Sequence, residues 1–171
     1  MTPSTVQPTA PTTTAIEHLW FLDTLVTIHV PHEGGDDGIS VIEISAPLGD
    51  SPPLHVHHNE DEIFHLVEGE LHIRVGDRDL AARAGDVLCA PKGVPHTFRV
   101  TSQQGARFTV TTINGDFEKL VRTVARPADA ATLPAPSGPP TDEQIAAALR
   151  SQLARLEQSN LTQTGMILGT P

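Results

Sequence analysis

The sequence predicts an all-β fold, a small antiparallel barrel or sandwich, with a helical extension at its C-terminal end. Short apolar runs recur at even spacing and are separated by turn residues, chiefly Gly, Pro and Asp. These runs are rich in β-branched residues, which favour strands. Beyond Asn114 the apolar residues change to a helical spacing. A length of 171 residues suits one domain of ordinary size with terminal segments.

The predicted strands are the apolar runs between these turn residues. We expect the first strand between Leu19 and Val30, where apolar and β-branched residues continue until Pro31. Many short strands of this kind indicate a sandwich or barrel rather than alternating strands and helices. The remaining strands are expected at Ile39–Ala46, Leu54–His57, Glu62–Val67, Leu71–Val75, Asp79–Ala82, Val87–Ala90, His96–Val100 and Ala106–Ile113.

Composition divides the chain into an arm, a barrel and a helical extension. Residues 1–14 are rich in Thr and Pro and have little to bury, so we expect a disordered arm. The barrel is assigned to residues 15–114. A short helix is expected over 115–126, because its apolar residues fall on one helical face. These residues are Phe117, Leu120, Val121 and Val124.

The end of the chain is predicted to hold a linker and a second helix. Residues 127–140 form a Pro-rich linker, which proline stiffens. We expect a C-terminal helix and tail over 141–171, because Thr141 and Gln144 have the spacing of a capping box. An apolar stripe at helical spacing follows, at Ile145, Leu149, Leu153 and Leu156.

Charge and cysteine content exclude several classes of protein. The chain has 21 acidic and 11 basic residues, a net charge of -10, which argues against nucleic acid and anionic membranes as partners. A single Cys excludes an intrachain disulfide framework and multi-cysteine zinc sites. No apolar run reaches the roughly 20 residues of a membrane span. The polar N-terminus has no secretory signal, so we expect a cytoplasmic protein.

The histidines carry the functional signal. In a strand, His55 and His57 would point to one face, about 6.6 Å apart. A polar turn follows, so Glu62 would begin the returning strand opposite them, and a Pro/Gly turn delivers His96. Three imidazoles and one carboxylate suit Fe, Mn, Co, Ni, Cu or Zn rather than Ca or Mg. The alternative is a metal-free barrel in which these polar groups satisfy one another, and the spacing disfavours it.

Two segments resemble the motifs of the cupin family. Gly49, His55, His57, Glu62 and Gly69 stand at the spacing of the first cupin motif. That resemblance implies a double-stranded β-helix, a jelly-roll-like barrel that holds one divalent metal through its conserved histidines and glutamate.

The second motif is matched with one departure. Gly85, Pro91, Gly93 and His96 stand at its spacing, but Val100 replaces an Asn that often ends it. The Asn supports a turn rather than the metal, so the departure concerns local hydrogen bonding. The resemblance therefore implies His55, His57, Glu62 and His96 as the metal ligands.

The whole chain also resembles, more loosely, bacterial single-domain cupins described as quercetin-dioxygenase-like. The likeness rests on the segment 20–27, the Phe117 helix, the Pro-rich linker and the segment 165–169. It implies a dioxygenase that opens a flavonol or other enolisable aromatic substrate with O₂ at a metal, Fe, Mn, Ni or Co, with Zn possible. Glu62 would then also act catalytically, as the general base that takes the substrate proton.

Other functions remain open at this stage. A cyclase, isomerase or lyase could use the metal only as a Lewis acid, and a binding cupin would hold metal and ligand without turnover. For the pocket walls we expect Phe64 and Phe98, which share strand faces with Glu62 and His96, together with Leu54. We expect Cys89 in the core and Glu60 in solvent. A homodimer is the expected assembly.

Overall fold

The computed structural model describes residues 15–33, 38–136, 138 and 140–146, and it is built almost entirely of antiparallel strands. The predicted arm at 1–14 lies outside the described residues. The elements are β1 Glu17–Phe21, β2 Thr24–Val30, β3 Ile39–Ala46, β4 Glu62–Glu68, β5 Glu70–Val75, β6 Arg78–Arg83, β7 Val87–Ala90, β8 His96–Val100, β9 Ala106–Ile113, α1 Asp116–Val124 and β10 Arg126–Pro127.

These strands form two sheets, as the predicted all-β barrel requires. The large sheet has seven strands in the order β10-β1-β2-β3-β9-β4-β7, and the small sheet has three in the order β6-β5-β8. In β3, β4 and β9 every second side chain is buried. Such alternation places one face of a sheet on the core and the other in solvent.

Three aromatic rings join the two sheets in the core. Phe64 on β4 and Phe108 on β9 have ring centroids 6.1 Å apart. Phe98, on β8 of the small sheet, lies 5.2 Å from Phe108 and 6.3 Å from Phe64. Phe64 and Phe108 are buried, whereas Phe98 is half-buried at the edge of the core cluster. The rings therefore close the interior directly beneath the N-terminal ends of β4 and β8.

Two of the predicted strands are wrong in form. The expected strand from Leu19 to Val30 is a hairpin, because the chain turns at Leu22 and Asp23. Leu22 has φ 55°, a conformation for which leucine gives no sequence signal.

The expected strand at Leu54–His57 is also wrong. It is a loop that meets β8 through one bridge between His55 and His96. Pro52 and Pro53 precede it and cannot donate backbone hydrogen bonds to a ladder. The strands at Ile39–Ala46, Val87–Ala90, His96–Val100 and Ala106–Ile113 are confirmed to the residue.

The C-terminal extension begins against the barrel. The helix expected over 115–126 is α1, and the start of the predicted linker pairs with β1 through β10. Trp20 Nε1 donates a hydrogen bond to the carbonyl of Thr132 at 2.8 Å, and Arg126 lies over the Trp20 ring at 4.3 Å. The first part of the linker therefore runs along the edge of the large sheet.

The predicted capping box is present at residue 141. The Thr141 N–H donates to Gln144 Oε1 at 2.8 Å, and the Gln144 N–H donates to Thr141 Oγ1 at 3.3 Å. Residues 142–146 are helical, and the rest of the predicted helix lies outside the described residues. None of the helices in the described part of the chain is long and apolar enough to cross a membrane.

Candidate metal centre

The structure brings the four predicted ligands together at one end of the barrel. One potential ligand atom from each of His55, His57, Glu62 and His96, together called the histidine cluster, lies within 4.8 Å of all the others. The ring centroids of His55 and His96 are 4.5 Å apart, and that of His57 lies 5.1 Å and 5.4 Å from them. The motif spacing thus describes a real spatial cluster.

Backbone contacts hold the loops that carry these residues. His55 and His96 exchange both hydrogen bonds of their bridge, at 3.1 and 2.8 Å. The Gly93 N–H donates to the carbonyl of His57 at 2.7 Å. Gly93 has φ 77°, the left-handed region that favours glycine. The Pro/Gly turn before β8 therefore positions two of the histidines at once.

All three imidazoles present the same nitrogen to the centre of the cluster. Nδ1 of His55 donates to the Pro53 carbonyl at 2.8 Å, and Nδ1 of His96 donates to the Val94 carbonyl at 3.0 Å. Nδ1 of His57 lies 3.0 Å from a carboxylate oxygen of Glu60. With each Nδ1 engaged in this way, Nε2 is the nitrogen left to face a metal, the arrangement typical of histidine ligands.

The inward nitrogens converge on Glu62. His96 Nε2 lies 2.9 Å from Glu62 Oε2, and His57 Nε2 lies 3.4 Å from Glu62 Oε1. Nε2 of His57 is buried and has no hydrogen-bond partner in the described part of the chain. Buried polar atoms are rarely left unpaired. His57 Nε2 thus faces the centre of the cluster without a hydrogen bond, beside other nitrogen and oxygen atoms that can bind metal. This arrangement fits a divalent transition metal.

Burial and charge act in opposite directions on the cluster. Burial lowers the pKa of His55. For His57, burial is outweighed by the hydrogen bond to Glu60 and the charge of Glu62, so its pKa is raised. Burial would raise the pKa of Glu62, but the hydrogen bond with His96 and the charges of the histidines lower it. Glu62 is therefore held as a carboxylate, the form that binds metal.

The structure corrects two sequence predictions, one for a residue of this site and one for a residue outside it. Glu60 is not solvated as expected, because it is 1% exposed and holds His57. Its position inside a polar turn gave no sign of burial. Cys89, expected in the core, is exposed on β7 opposite Ile63, where the alternation of the strand turns it outward.

Thr112 is a further inward-facing polar residue. It lies directly opposite Glu62 in the register of β9 and β4 and is fully buried. Its hydroxyl has no hydrogen-bond partner among the residues described. Only the pairing of β9 with β4 places it there, and the sequence does not reveal that pairing.

The expected pocket residues lie at different depths. Phe64 is buried, and its ring centroid lies 6.4 Å from that of His96. Phe98 is half-buried, whereas Leu54 is 58% exposed. Val100, the departure from the second motif, is buried and pairs through its backbone with Gly49 and Asp50. The role of Phe64, Phe98 and Leu54 as pocket walls stays a prediction.

Comparison with known proteins agrees with this geometry. The family described as the cupin domain matches residues 41–112. Quercetin 2,3-dioxygenase of Bacillus subtilis (strain 168) is 29% identical over 98 residues, which are 57% of this chain and 29% of that protein. Acetate kinase EutQ of Escherichia coli (strain K12) is 48% identical over 44 residues, 26% of this chain and 19% of that protein. This chain thus spans less than a third of either curated relative.

A solved structure shows the same fold. The cupin domain of Schizosaccharomyces pombe Cnp3 has a TM-score of 0.50 at 13% identity, over 58% of this chain and 66% of that chain. At this level of identity the likeness concerns the fold alone.

Proposed function

Because residues 41–112 make this chain a cupin protein, we propose that it is a metal-dependent dioxygenase of the quercetinase type. Its substrate would be a flavonol or another enolisable aromatic compound, cleaved with O₂. The observation that carries the proposal is the convergence of three imidazole nitrogens and one carboxylate within 4.8 Å. The likeness to quercetin 2,3-dioxygenase over 98 residues supports the reaction class.

The histidine cluster would hold the metal. His55, His57 and His96 would bind it through Nε2, since each Nδ1 already has a hydrogen-bond partner. Glu62 would add one carboxylate oxygen. When bound, Fe, Mn, Co or Ni would supply a Lewis-acidic centre that favours an ionised enol oxygen and can take part in oxygen chemistry.

Glu62 would have a second role as the general base. A flavonol must lose the proton of its enol hydroxyl before the oxygen becomes nucleophilic. A carboxylate at the centre of the site can accept that proton and return it later. The surrounding histidines lower the pKa of Glu62, so it is ionised at neutral pH, the form in which a carboxylate can accept a proton.

The core behind the cluster would keep water out. The Phe64 ring lies 6.4 Å from that of His96, and the Phe98 ring lies 6.3 Å from that of Phe64. An apolar wall favours a flat aromatic ligand and strengthens electrostatic interactions at the metal. Phe98 is the more exposed of the two, which suits a wall that contacts substrate. Leu54, on the outer side of the loop, would contact substrate at the entrance.

Oxygen uptake tests the proposal. The protein is reconstituted in turn with Fe, Mn, Co, Ni and Zn, given quercetin under air, and followed with an oxygen electrode. We expect uptake that is abolished by a chelator and by Glu62→Gln, but kept by His65→Ala, which alters an exposed histidine of β4. Quercetin turnover without oxygen, highest with Zn, would instead support Lewis-acid catalysis. Quercetin binding with no turnover under any metal would favour a binding protein.

The assembly is also a proposal. We propose a homodimer, which sedimentation would detect as twice the 18.3 kDa mass of the chain. A monomer at micromolar concentration would overturn it.

A further inference from the structure

One buried carboxylate touches both a proposed metal ligand and the first turn of α1. Glu60 is 1% exposed, and its Oε1 lies 3.0 Å from Nδ1 of His57. The same oxygen accepts the Phe117 N–H at 2.7 Å, and Oε2 accepts the Asp116 N–H at 2.8 Å. Three donors from two parts of the fold therefore meet on one side chain.

Helix α1 has no cap of its own. The residue at its N-cap, Gly115, has φ 65° and no side chain to accept a hydrogen bond. A Cβ at Gly115 would lie 2.5 Å from Cγ of His32, so no larger capping residue fits there. The first N–H groups of a helix need acceptors, and a negative charge beside them is favoured. Glu60 supplies both from a distant segment.

We propose that Glu60 is a positioning residue that couples metal binding in the histidine cluster to the docking of α1. A metal bound at Nε2 of His57 would fix the ring and, through Nδ1, fix Glu60 beneath the helix. A docked α1 would in turn hold Glu60 where it orients His57. Such coupling is reciprocal: metal binding would favour the docking of α1 by the same factor by which docking of α1 raises the metal affinity. The proposal rests on the proposed metal site and not on the reaction.

A second buried carboxylate provides the matched control. Glu118 also anchors α1 to the barrel, by accepting from Ser40 Oγ at 2.5 Å and from the His32 N–H at 2.7 Å. Its hydrogen-bond and ion-pair partners do not include a member of the histidine cluster. Glu60 and Glu118 therefore share the structural role, and only Glu60 contacts a proposed ligand.

The first measurement compares Co²⁺ dissociation constants of the wild type, Glu60→Gln and Glu118→Gln by titration calorimetry. An amide has one acceptor oxygen, and its NH₂ group must face at least one of the three N–H donors. We expect Glu60→Gln to weaken Co²⁺ binding about 10-fold or more, the range typical of partners behind a metal ligand. Glu118→Gln should leave it within about 2-fold, although both variants are expected to unfold at lower temperature.

The second measurement has an outcome in the wild type alone, which keeps the proposal testable if a variant does not fold. Hydrogen exchange at the Asp116 and Phe117 amides is compared with and without Co²⁺. We expect Co²⁺ to slow exchange there in the wild type and in Glu118→Gln, and much less in Glu60→Gln. Equal Co²⁺ affinity in all three proteins, or wild-type amides indifferent to Co²⁺, would overturn the coupling alone. A wild type that binds no Co²⁺ would overturn the metal site as well.

Discussion

Two buried carboxylates, Glu118 on α1 and Glu62 on β4, have different surroundings. Glu118 accepts hydrogen bonds from Ser40 Oγ, from the His32 N–H and from Arg122 Nε, at 2.5, 2.7 and 2.9 Å. We call these groups the Glu118 cluster. In the histidine cluster, Glu62 faces imidazoles, and Nε2 of His57 has no hydrogen-bond partner among the described residues.

The two clusters are separated by a single strand. Ser40, Thr112 and Glu62 are side by side in the registers of β3, β9 and β4. On one side of Thr112 the Glu118 carboxylate accepts three hydrogen bonds, whereas on the other Glu62 faces the histidine imidazoles. Among the described residues, a buried imidazole nitrogen without a hydrogen-bond partner lies on each side, Nε2 of His32 and Nε2 of His57. Unpaired buried groups cost free energy in the folded protein. We interpret the Glu118 cluster as structural because its carboxylate already has three donors, and the histidine cluster as built for a ligand because four potential metal-ligand atoms converge there.

Replacement of a histidine should show the largest difference between the two clusters, because only the histidine cluster is expected to bind metal. We expect His57→Ala to weaken metal binding by about 100-fold or more, because a direct ligand contributes more than the groups behind it. Elemental analysis after dialysis measures the loss. His65→Ala, on the outer face of β4, is the control and should keep its metal. A His57→Ala protein with unchanged metal content would remove His57 from the ligand set.

Removal of the hydroxyl group should affect the free energy of unfolding differently at Ser40 and at Thr112, which are paired in β3 and β9. Ser40→Ala leaves Glu118 short of one donor, so we expect a loss of about 1–3 kcal/mol in the free energy of unfolding. Thr112→Val removes a hydroxyl that has no partner among the described residues, so we expect a neutral or stabilising effect on the metal-free protein. Urea unfolding measures both. Equal losses would contradict the distinction between the clusters.

Acid should weaken the Glu118 cluster in a defined range of pH. Burial would raise the pKa of Glu118, but hydrogen bonds from Ser40, His32 and Arg122 hold it below its ordinary value of 4.5. A carboxyl with a lower pKa in the folded chain adds stability above its unfolded pKa, and this is lost as the pH falls through the folded pKa. We expect the stability difference between wild type and Glu118→Gln to be constant above about pH 6 and to shrink below about pH 4. A difference that grows on acidification would reverse the assigned sign.

The smallest expected change in stability concerns the exposed side of the site. Leu54 is 58% exposed, so Leu54→Ser should change the free energy of unfolding by less than about 0.5 kcal/mol. As an expected pocket wall, Leu54 should nevertheless contribute to flavonol binding, and the variant should raise the Kd for quercetin severalfold. Fluorescence titration measures that Kd, and an unchanged value would exclude Leu54 from the pocket.

The sequence predicted most of the strands and the residues of the histidine cluster for a physical reason. Alternation and turn residues are local, so β3, β7, β8 and β9 could be delimited from neighbouring residues alone. The ligand spacing in the two motifs is also local, apart from the return of His96. His55 and His57 converge with it even though their segment is a loop rather than the expected strand.

Partnerships between distant segments could not be predicted in this way. Glu60 sits in a polar turn, and its burial depends on α1, whose first residues lie more than fifty positions later. Thr112 faces Glu62 only because β9 pairs with β4. Cys89 looked like a core residue because Leu88 and Ala90 flank it, yet its place in the alternation of β7 turns it outward. The docking of α1, the pairing of β9 with β4 and the side to which β7 turns its residues are set by the folded chain and not by local sequence.

The number of metal ions bound per chain tests the central claim most directly. The purified protein is stripped with a chelator, incubated separately with Fe²⁺, Mn²⁺, Co²⁺, Ni²⁺ and Zn²⁺, dialysed and assayed by elemental analysis. If the histidine cluster is a metal centre, the wild type should retain about one equivalent of at least one ion, and His96→Ala should retain almost none. A wild type that retains none of the five ions, or a His96→Ala protein that retains as much as the wild type, would contradict the account.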